Sequence, residues 1–167
     1  MMGWRMGYLA YPPAIAPQLL KVQDTIPICP TQISQAAALG ALGDGAGRPW
    51  VRERVAGLAG NLATMRTALR PLTDNGFPVI GGEGAIYLMC KLPGAYAEKD
   101  EAVVKWLAYV HGVCLIPGTA CGAPGFVRVC FANLPSDTFE EACRRLRAGL
   151  EVIVAGDGKG GAADLSC

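Results

Sequence analysis

The sequence predicts an α/β protein in which a long connecting helix leads into a small α/β domain, with a short sheet covered by helices. Three observations support this fold class. Apolar residues recur at alternating spacings of four and three along residues 49–75, which is the pattern of one helix face. From Gly76 onward, short apolar runs typical of strands alternate with helical patterns. The 167 residues are 51% hydrophobic and only 17% charged, so the chain can bury a core.

Residues 1–48 are predicted to contain one strand and two helices. Residues 4–11 mix aromatic and apolar side chains with glycine and stop at two prolines, which is typical of a short buried strand. A helix over residues 14–22 cannot continue through the prolines that follow it. Thr31 is a suitable N-cap for a second, alanine-rich helix that ends in the glycine-rich residues 40–47. We expect these two helices to expose apolar side chains.

The connecting helix is predicted over residues 49–75. Pro49 fits its first turn, where the missing N–H of proline is not needed. A single apolar stripe would follow one face of this helix, formed by Val51, Val55, Leu58, Leu62, Met65, Leu69 and Leu72. A coiled coil with another chain and packing against the protein's own core are both compatible with this stripe. The lack of consistent flanking charges favours packing against the core.

Residues 76–154 are predicted to form the small α/β domain, and residues 155–167 a flexible tail. One helix should end at Gly112, a residue suited to a left-handed stop. The last helix should begin near Asp137, whose carboxylate and that of Glu140 would form a reciprocal cap. Three short strands are expected, over residues 85–90, 113–116 and 126–132.

Composition excludes several classes of partner. The formal net charge of +1 and a pI near 7.5 give no field that would attract nucleic acid or an anionic membrane. No apolar run approaches the roughly 20 residues of a membrane span. Seven cysteines, without a Cys-x-x-Cys pair, favour buried thiols in a reducing compartment over a disulfide framework. We therefore expect a cytoplasmic protein, with an organelle stroma as the alternative.

Two arginines are the best candidates for ligand binding. Arg5 lies in Gly-Trp-Arg-Met-Gly-Tyr at residues 3–8, and Arg128 ends Pro-Gly-Thr-Ala-Cys-Gly-Ala-Pro-Gly-Phe-Val-Arg at residues 117–128. A guanidinium is a flat fork of donors that binds a phosphate or a carboxylate through two hydrogen bonds. Each arginine alone could instead pair with a surface carboxylate. Together they suit a ligand that carries two anionic groups.

Both segments, with Gly-Ala-Ile-Tyr-Leu at residues 84–88 between them, resemble signatures of the class I/II aminotransferases, which are fold-type-I pyridoxal-phosphate enzymes. The likeness extends to about residue 153 and is strongest to plant-type aromatic or methionine aminotransferases. It implies that the chain is the C-terminal portion of such an enzyme. Residues 1–48 would be a remnant of the large cofactor domain, and residues 49–75 the helix that connects it to the small domain.

The resemblance also implies roles for the two arginines. Arg5 would bind the phosphate of pyridoxal 5'-phosphate, the cofactor of the full-length enzyme, and Arg128 the substrate α-carboxylate. The substrates would be an amino acid, among which aromatic amino acids and methionine are candidates, and a 2-oxo acid. The full-length enzyme would be a homodimer.

The catalytic residue of the family is missing from the sequence. In the family, the Schiff-base lysine lies in a Ser-Lys segment about eight residues before the phosphate arginine, whereas only four residues precede Arg5 here. That lysine is therefore expected upstream of Met1, and the isolated chain is expected to be inactive. The alternative is a non-catalytic interaction subunit that pairs with a full-length aminotransferase.

Other constellations carry weaker signals. His111, Cys114 and Cys121 could be imagined as zinc ligands, but their spacing is irregular and a fourth ligand is lacking, so no metal is predicted. A Cys114 nucleophile paired with His111 is also weakly supported, because a histidine at a helix end is favoured for structural reasons alone. Buried thiols are the better interpretation for these two cysteines.

Glu83 is expected to face solvent and Tyr87 to pack against other residues. The glycine-rich residues 43–47 and 156–159 lack phosphate-loop spacing and are interpreted as linkers.

Overall fold

The computed structural model describes residues 2–43, 47–157 and 165. The chain divides into two compact units, which we call unit 1, Met1–Ala56, and unit 2, Gly57–Cys167. The boundary between them falls inside the segment for which a connecting helix was predicted. Within the described residues, no helix is both long and apolar enough to cross a lipid bilayer.

Unit 1 is helical in its described part. Short 3-10 turns at Met2–Trp4 and Pro13–Ile15 precede three helices, α1 (Ala16–Thr25), α2 (Gln32–Gly43) and α3 (Gly47–Gly57), the last of which ends just beyond the unit boundary. The predicted N-cap of the second helix is confirmed, because the backbone N–H of Ser34 donates to Thr31 Oγ1 over 3.4 Å. The Ser34 hydroxyl in turn donates to the Trp4 carbonyl over 2.8 Å, which ties the first turn to α2.

The strand predicted over residues 4–11 is wrong. Residues 5–12 have no regular secondary structure and their side chains are exposed. A strand needs a neighbour for its N–H and C=O groups, and all strands in the described residues lie between Val79 and Cys130. The predicted apolar exposure of the first two helices is confirmed, since Leu20 and Val22 in α1 and Leu39 and Leu42 in α2 are all exposed.

The helix predicted over residues 49–75 is interrupted twice. It forms α3, then α4 (Ala59–Ala68), then the single turn α5 (Arg70–Thr73). Pro71 lacks the N–H that would continue the hydrogen-bond ladder at the second break, and Gly57 and Gly60, which have low helix propensity, flank the first.

The apolar stripe on these helices is buried only in its C-terminal half. Met65, Leu69 and Leu72 lie in the core of unit 2, whereas Val51 and Val55 are 51% and 61% exposed. Packing of the stripe against the protein's own core is thus confirmed for its unit 2 portion. The hydrophobic periodicity that suggested one helix continues through both breaks, so it could not reveal them.

Unit 2 contains a four-stranded antiparallel sheet of order β1-β2-β4-β3. The strands are β1 (Val79–Gly81), β2 (Tyr87–Lys91), β3 (Ile116–Pro117) and β4 (Phe126–Cys130), with α6 (Asp100–His111) and α7 (Ser136–Asp157) between and after them. Three strands lie close to the predicted positions. The three-residue β1 was not predicted, because a strand this short shows no alternation to recognise.

The helix ends test two predicted caps. Gly112 ends α6 in the left-handed conformation, with φ 64°, as predicted. The reciprocal cap is wrong: Asp137 is the second residue of α7, and its carboxylate accepts a hydrogen bond from the N–H of the next residue over 2.7 Å. Helix α7 extends to Asp157, so residues 155–157 of the predicted tail are helical, and the rest of that tail lies outside the described residues except for Leu165.

The core of unit 2 lies between one face of the sheet and the helices α4 to α7. That face carries Leu88 and Cys90 on β2 and Val127 and Val129 on β4, all buried. On the opposite face, which we call the open face, every side chain is half-buried or exposed; its members are Ile80, Tyr87, Met89, Lys91, Ile116, Phe126, Arg128 and Cys130. The predicted α/β fold class, with helices over a short sheet, is confirmed.

Candidate functional site

Arg128 lies at the centre of the open face. It is the third residue of β4, and its backbone pairs with Met89 of β2 on one side and Ile116 of β3 on the other. Because side chains alternate across a strand, its neighbours Val127 and Val129 point into the core and Arg128 points away from it. The guanidinium is therefore presented from a rigid central strand.

The ring of Tyr87 contacts this guanidinium. The Arg128 Cζ atom lies 4.6 Å from the centroid of the ring, within the range of a cation–π interaction. In the part of the chain that the structure describes, no hydrogen bond or ion pair occupies the N–H groups of Arg128. The planar fork is thus available to an external anion.

Apart from Tyr87 and Lys91, the open-face side chains around Arg128 are apolar. Met89 and Ile116 flank it directly, and Phe126 and Cys130 share its strand and face. A cation in such surroundings attracts an anion more strongly than one in open water, because the local dielectric is lower. The face suits a ligand with one carboxylate and an apolar remainder.

The loop that leads into β4 is tied to α6 by a buried acid that the sequence analysis missed. Asp100, only 2% exposed, accepts hydrogen bonds from the backbone N–H of Thr119 over 2.6 Å and from its hydroxyl over 2.9 Å. Burial raises the pKa of the Asp100 carboxyl. The Thr119 hydrogen bonds, with the backbone N–H groups of Glu101 and Asp100 at the start of α6, outweigh it and hold the pKa below its ordinary value.

The glycines of the 117–128 segment serve the loop itself. A Cβ on Gly118 would collide with the carbonyl oxygen of Ala123 and lie 2.6 Å from that of Phe126. Gly122 and Gly125 have φ of 72° and 77°, which glycine adopts without strain. The close approach that requires Gly118 is therefore to the chain's own backbone.

Arg5 lies in unit 1, whereas Arg128 lies in unit 2. Its φ is 50°, a left-handed conformation that few residues other than glycine adopt. Such strained residues are enriched at ligand sites. Its side chain is exposed, and a guanidinium offers the donors that a phosphate group binds. Arg5 thus fits the phosphate end of a cofactor in its chemistry.

The competing metal and nucleophile hypotheses gain no support. His111 ends α6 and packs edge-on against Trp106, with ring centroids 4.7 Å apart, while its buried Nε2 has no hydrogen-bond partner among the described residues. Cys114 and Cys121 are exposed, so their prediction as buried thiols is wrong. Among the described residues, no group of three or more His, Cys, Asp or Glu side chains could hold a metal ion.

The remaining cysteines divide by burial. Cys90 and Cys143 are buried as predicted, and burial raises the pKa of their thiols to about 12 and about 11, respectively. Cys29 is exposed and Cys130 is half-buried. Cys167 lies outside the described residues.

The other sequence candidates lie away from any site. Glu83 is exposed as predicted. Most of the two predicted glycine-rich linkers, residues 44–46 and 158–159, lies outside the described residues.

Two shallow hollows of about 290 and 270 Å³ lie between α7 and the helices α4 and α5, and neither is lined by Arg128. The arginines that line them are all paired with carboxylates: Arg70 with Asp74, Arg144 with Glu141 and Arg147 with Glu151.

Comparison with known proteins gives a consistent result. A sequence model of the aminotransferase class I and II family matches residues 1–146. The chain is 47% identical over 157 residues to the aromatic aminotransferase ISS1 of Arabidopsis thaliana, and 32% identical over 165 residues to a probable aspartate/prephenate aminotransferase of Aquifex aeolicus. Each alignment covers 92% of this chain but 39% of the relative. The chain thus spans about two fifths of the length of these relatives.

Solved structures give the same picture. The aromatic aminotransferase of Pyrococcus horikoshii matches with a TM-score of 0.66 and 26% identity over 90% of this chain and 40% of that one. An aspartate aminotransferase of Thermus thermophilus, solved with maleate, matches with a TM-score of 0.65 and 26% identity over 89% of this chain and 38% of that one.

Proposed function

Since this chain belongs to the class I and II aminotransferase family, we propose that it acts as the C-terminal portion of an enzyme that transfers an amino group from an amino acid to a 2-oxo acid. The family depends on pyridoxal phosphate, which supplies an electron sink for the substrate's reacting carbon. The observation that carries the proposal is the Arg128 guanidinium, held on an apolar sheet face with no intramolecular anion among the described residues.

In this proposal each arginine binds one anionic group. Arg128 binds the substrate α-carboxylate through its fork of N–H donors, and Arg5 binds the cofactor phosphate. Binding the carboxylate at a fixed place orients the reacting carbon of the substrate, which is how such an enzyme selects the bond that breaks. In this proposal the chain's own residues bind substrate and cofactor but do not form the Schiff base.

The open face supports a substrate with an apolar or aromatic side chain. Met89, Ile116 and Phe126 flank Arg128 there, and Lys91, opposite Phe126, is the other cationic side chain of this face. We therefore propose aromatic amino acids or methionine as donors, in agreement with the name of the Arabidopsis relative. We also propose that residues 1–48 are a remnant of the large cofactor domain. The full-length enzyme would be a homodimer and would be located in the cytoplasm.

The proposal is tested by carboxylate binding to the chain. We expect Arg128→Gln to raise the dissociation constant for 3-phenylpropionate at least about tenfold, because hydrogen bonds to a charged group contribute about 1.5–3 kcal/mol. Binding is measured by NMR titration. The control is Arg147→Gln, which removes an exposed arginine paired with Glu151. Equal affinity of Arg128→Gln and the unmodified chain would contradict the role of Arg128.

A second candidate function is that of a non-catalytic subunit which pairs with a full-length aminotransferase. It is supported by unit 1, where large apolar side chains such as Tyr8, Leu20, Ile26 and Leu42 are exposed, since large exposed apolar patches mark interaction surfaces. Coexpression with the Arabidopsis relative, followed by size-exclusion chromatography with light scattering, tests it. A defined complex of the two chains supports this function, and consistent separation of the two rejects it.

A further inference from the structure

We infer that Tyr87 is a positioning residue for Arg128. Its ring holds the guanidinium in place, so that the fork of N–H donors is already oriented when a carboxylate binds. This inference rests on the proposed role of Arg128 in binding the substrate carboxylate. The sequence predicts only a packing role for Tyr87, whereas this inference gives its ring a part in binding.

The strand register brings the two side chains together. Tyr87 lies opposite Cys130, and Arg128 lies opposite Met89, so Tyr87 and Arg128 are diagonal neighbours on the open face. Diagonal neighbours in antiparallel strands are about 7–8 Å apart at the backbone, which aromatic and long side chains can span. The observed 4.6 Å from Cζ to the ring centroid is the result.

This contact restrains the cation without occupying its donors. An arginine side chain has many rotamers, and part of that freedom must be lost when it binds a ligand. A ring contact removes some of that freedom in advance, because the attraction is to the ring face and uses no N–H group. A carboxylate from a described residue would also restrain Arg128, but it would compete with the substrate. The ring does not.

A purely structural role for Tyr87 fits less well. The side chain is 37% exposed and is absent from the buried core cluster. The buried neighbours on its strand, Leu88 and Cys90, point to the other face. Removing the Tyr87 ring should therefore leave the fold intact and change the orientation of Arg128.

The experiment compares Tyr87→Leu, which removes the ring, with Tyr87→Phe, which keeps it. The matched control is Tyr109→Leu, which removes an exposed ring from α6. One readout is the NMR chemical shift of the Arg128 side-chain protons, which a ring face shields. The other is the dissociation constant for 4-methylpentanoate, a carboxylate whose tail cannot stack on an aromatic ring.

We expect Tyr87→Leu to abolish the shielding and to raise the dissociation constant about two- to fivefold, the range that corresponds to an exposed cation–π contact. Tyr87→Phe and Tyr109→Leu should match the unmodified chain in both readouts. Unchanged affinity or unchanged shielding in Tyr87→Leu would overturn the inference, as would its unfolding, which would show a structural role.

Arg128→Gln separates this inference from the proposed function. If that variant loses affinity while Tyr87→Leu does not, Arg128 binds the carboxylate without help from Tyr87, and only the inference fails. If Arg128→Gln binds as well as the unmodified chain, or if the unmodified chain does not bind the probe, the proposed function fails and the inference with it.

Discussion

At the scale of single residues, Gly118 is required by the loop that contains it. It lies in the Pro-Gly segment at residues 117–128, where glycine permits a close approach of another group to the backbone. In the structure the close approach is to the backbone carbonyls of Ala123 and Phe126. The glycine closes the loop that precedes Arg128, and its contribution to binding is therefore indirect.

We predict that Gly118→Ala destabilises unit 2 by about 2 kcal/mol or more, because the added Cβ overlaps backbone atoms that can move only if the loop opens. The measurement is urea unfolding of the full chain. Gly94→Ala is the matched control, since nothing lies within 4 Å of a Cβ built there, and it should change stability by less than about 0.5 kcal/mol. Similar midpoints for the two variants would show that the loop accommodates the methyl group.

Arg128, its contact with Tyr87 and the buried Asp100 differ in how far the sequence alone could predict them. Arg128 could be found because a charge amid the alternating apolar residues of a strand needs either solvent or an anion. Its contact with Tyr87 could be found only from the register between β2 and β4, which the sequence does not specify. Asp100 could not be found, since its partner Thr119 is nineteen residues away and the pairing exists only in the fold.

At the scale of elements, the Asp100–Thr119 contact joins the start of α6 to the loop between β3 and β4. The loop is also held at its other end, where the N–H of Leu92 donates to the Gly125 carbonyl over 2.9 Å. Two fixed points leave little freedom for the intervening residues. The orientation of β4 and its arginine thus depends in part on a helix terminus.

This contact makes stability depend on pH. The pKa of Asp100 is lower in the folded chain than its ordinary value, so its carboxylate stabilises the fold at neutral pH, and this contribution is lost as the pH falls through the folded-state pKa. We expect Asp100→Asn to lower the free energy of unfolding by about 1–2 kcal/mol near neutral pH. The difference from the unmodified chain should shrink as Asp100 is protonated.

Urea unfolding at a series of pH values checks this prediction. The control is Glu101→Gln, which removes an exposed acid from the same helical turn. Hydrogen bonds from Arg144 and Arg145 lower the pKa of Glu141 to about 2, but this acid is present in every variant and its effect cancels in the comparison. A difference between Asp100→Asn and the unmodified chain that persists unchanged into acid would show that the carboxylate charge is not responsible.

At the scale of the whole molecule, burial is distributed unevenly along the chain. Every buried hydrophobic side chain of the described residues lies between Met65 and Ile153, within unit 2. Unit 1 carries most of the exposed large apolar side chains. The order of helices and strands in unit 2 was predictable because its core imposes clear periodicity. The strand expected in unit 1 is absent because its residues have no pairing partner among the described strands, and sequence patterns do not reveal whether such a partner exists.

We therefore predict that hydrogen exchange is slowest in β2, β4 and α6 and fast in α1 and α2, since protection follows buried apolar contacts. Leu146→Ala, at a fully buried position of α7, should destabilise unit 2 by about 2–5 kcal/mol and accelerate exchange throughout that unit as one cooperative body. Leu20→Ala removes an exposed leucine of α1 and should leave exchange in unit 2 unchanged. Exchange measured by mass spectrometry on the full chain distinguishes these outcomes. Protection in α1 as strong as that in α6 would show that unit 1 is stabilised by more than its own few buried groups.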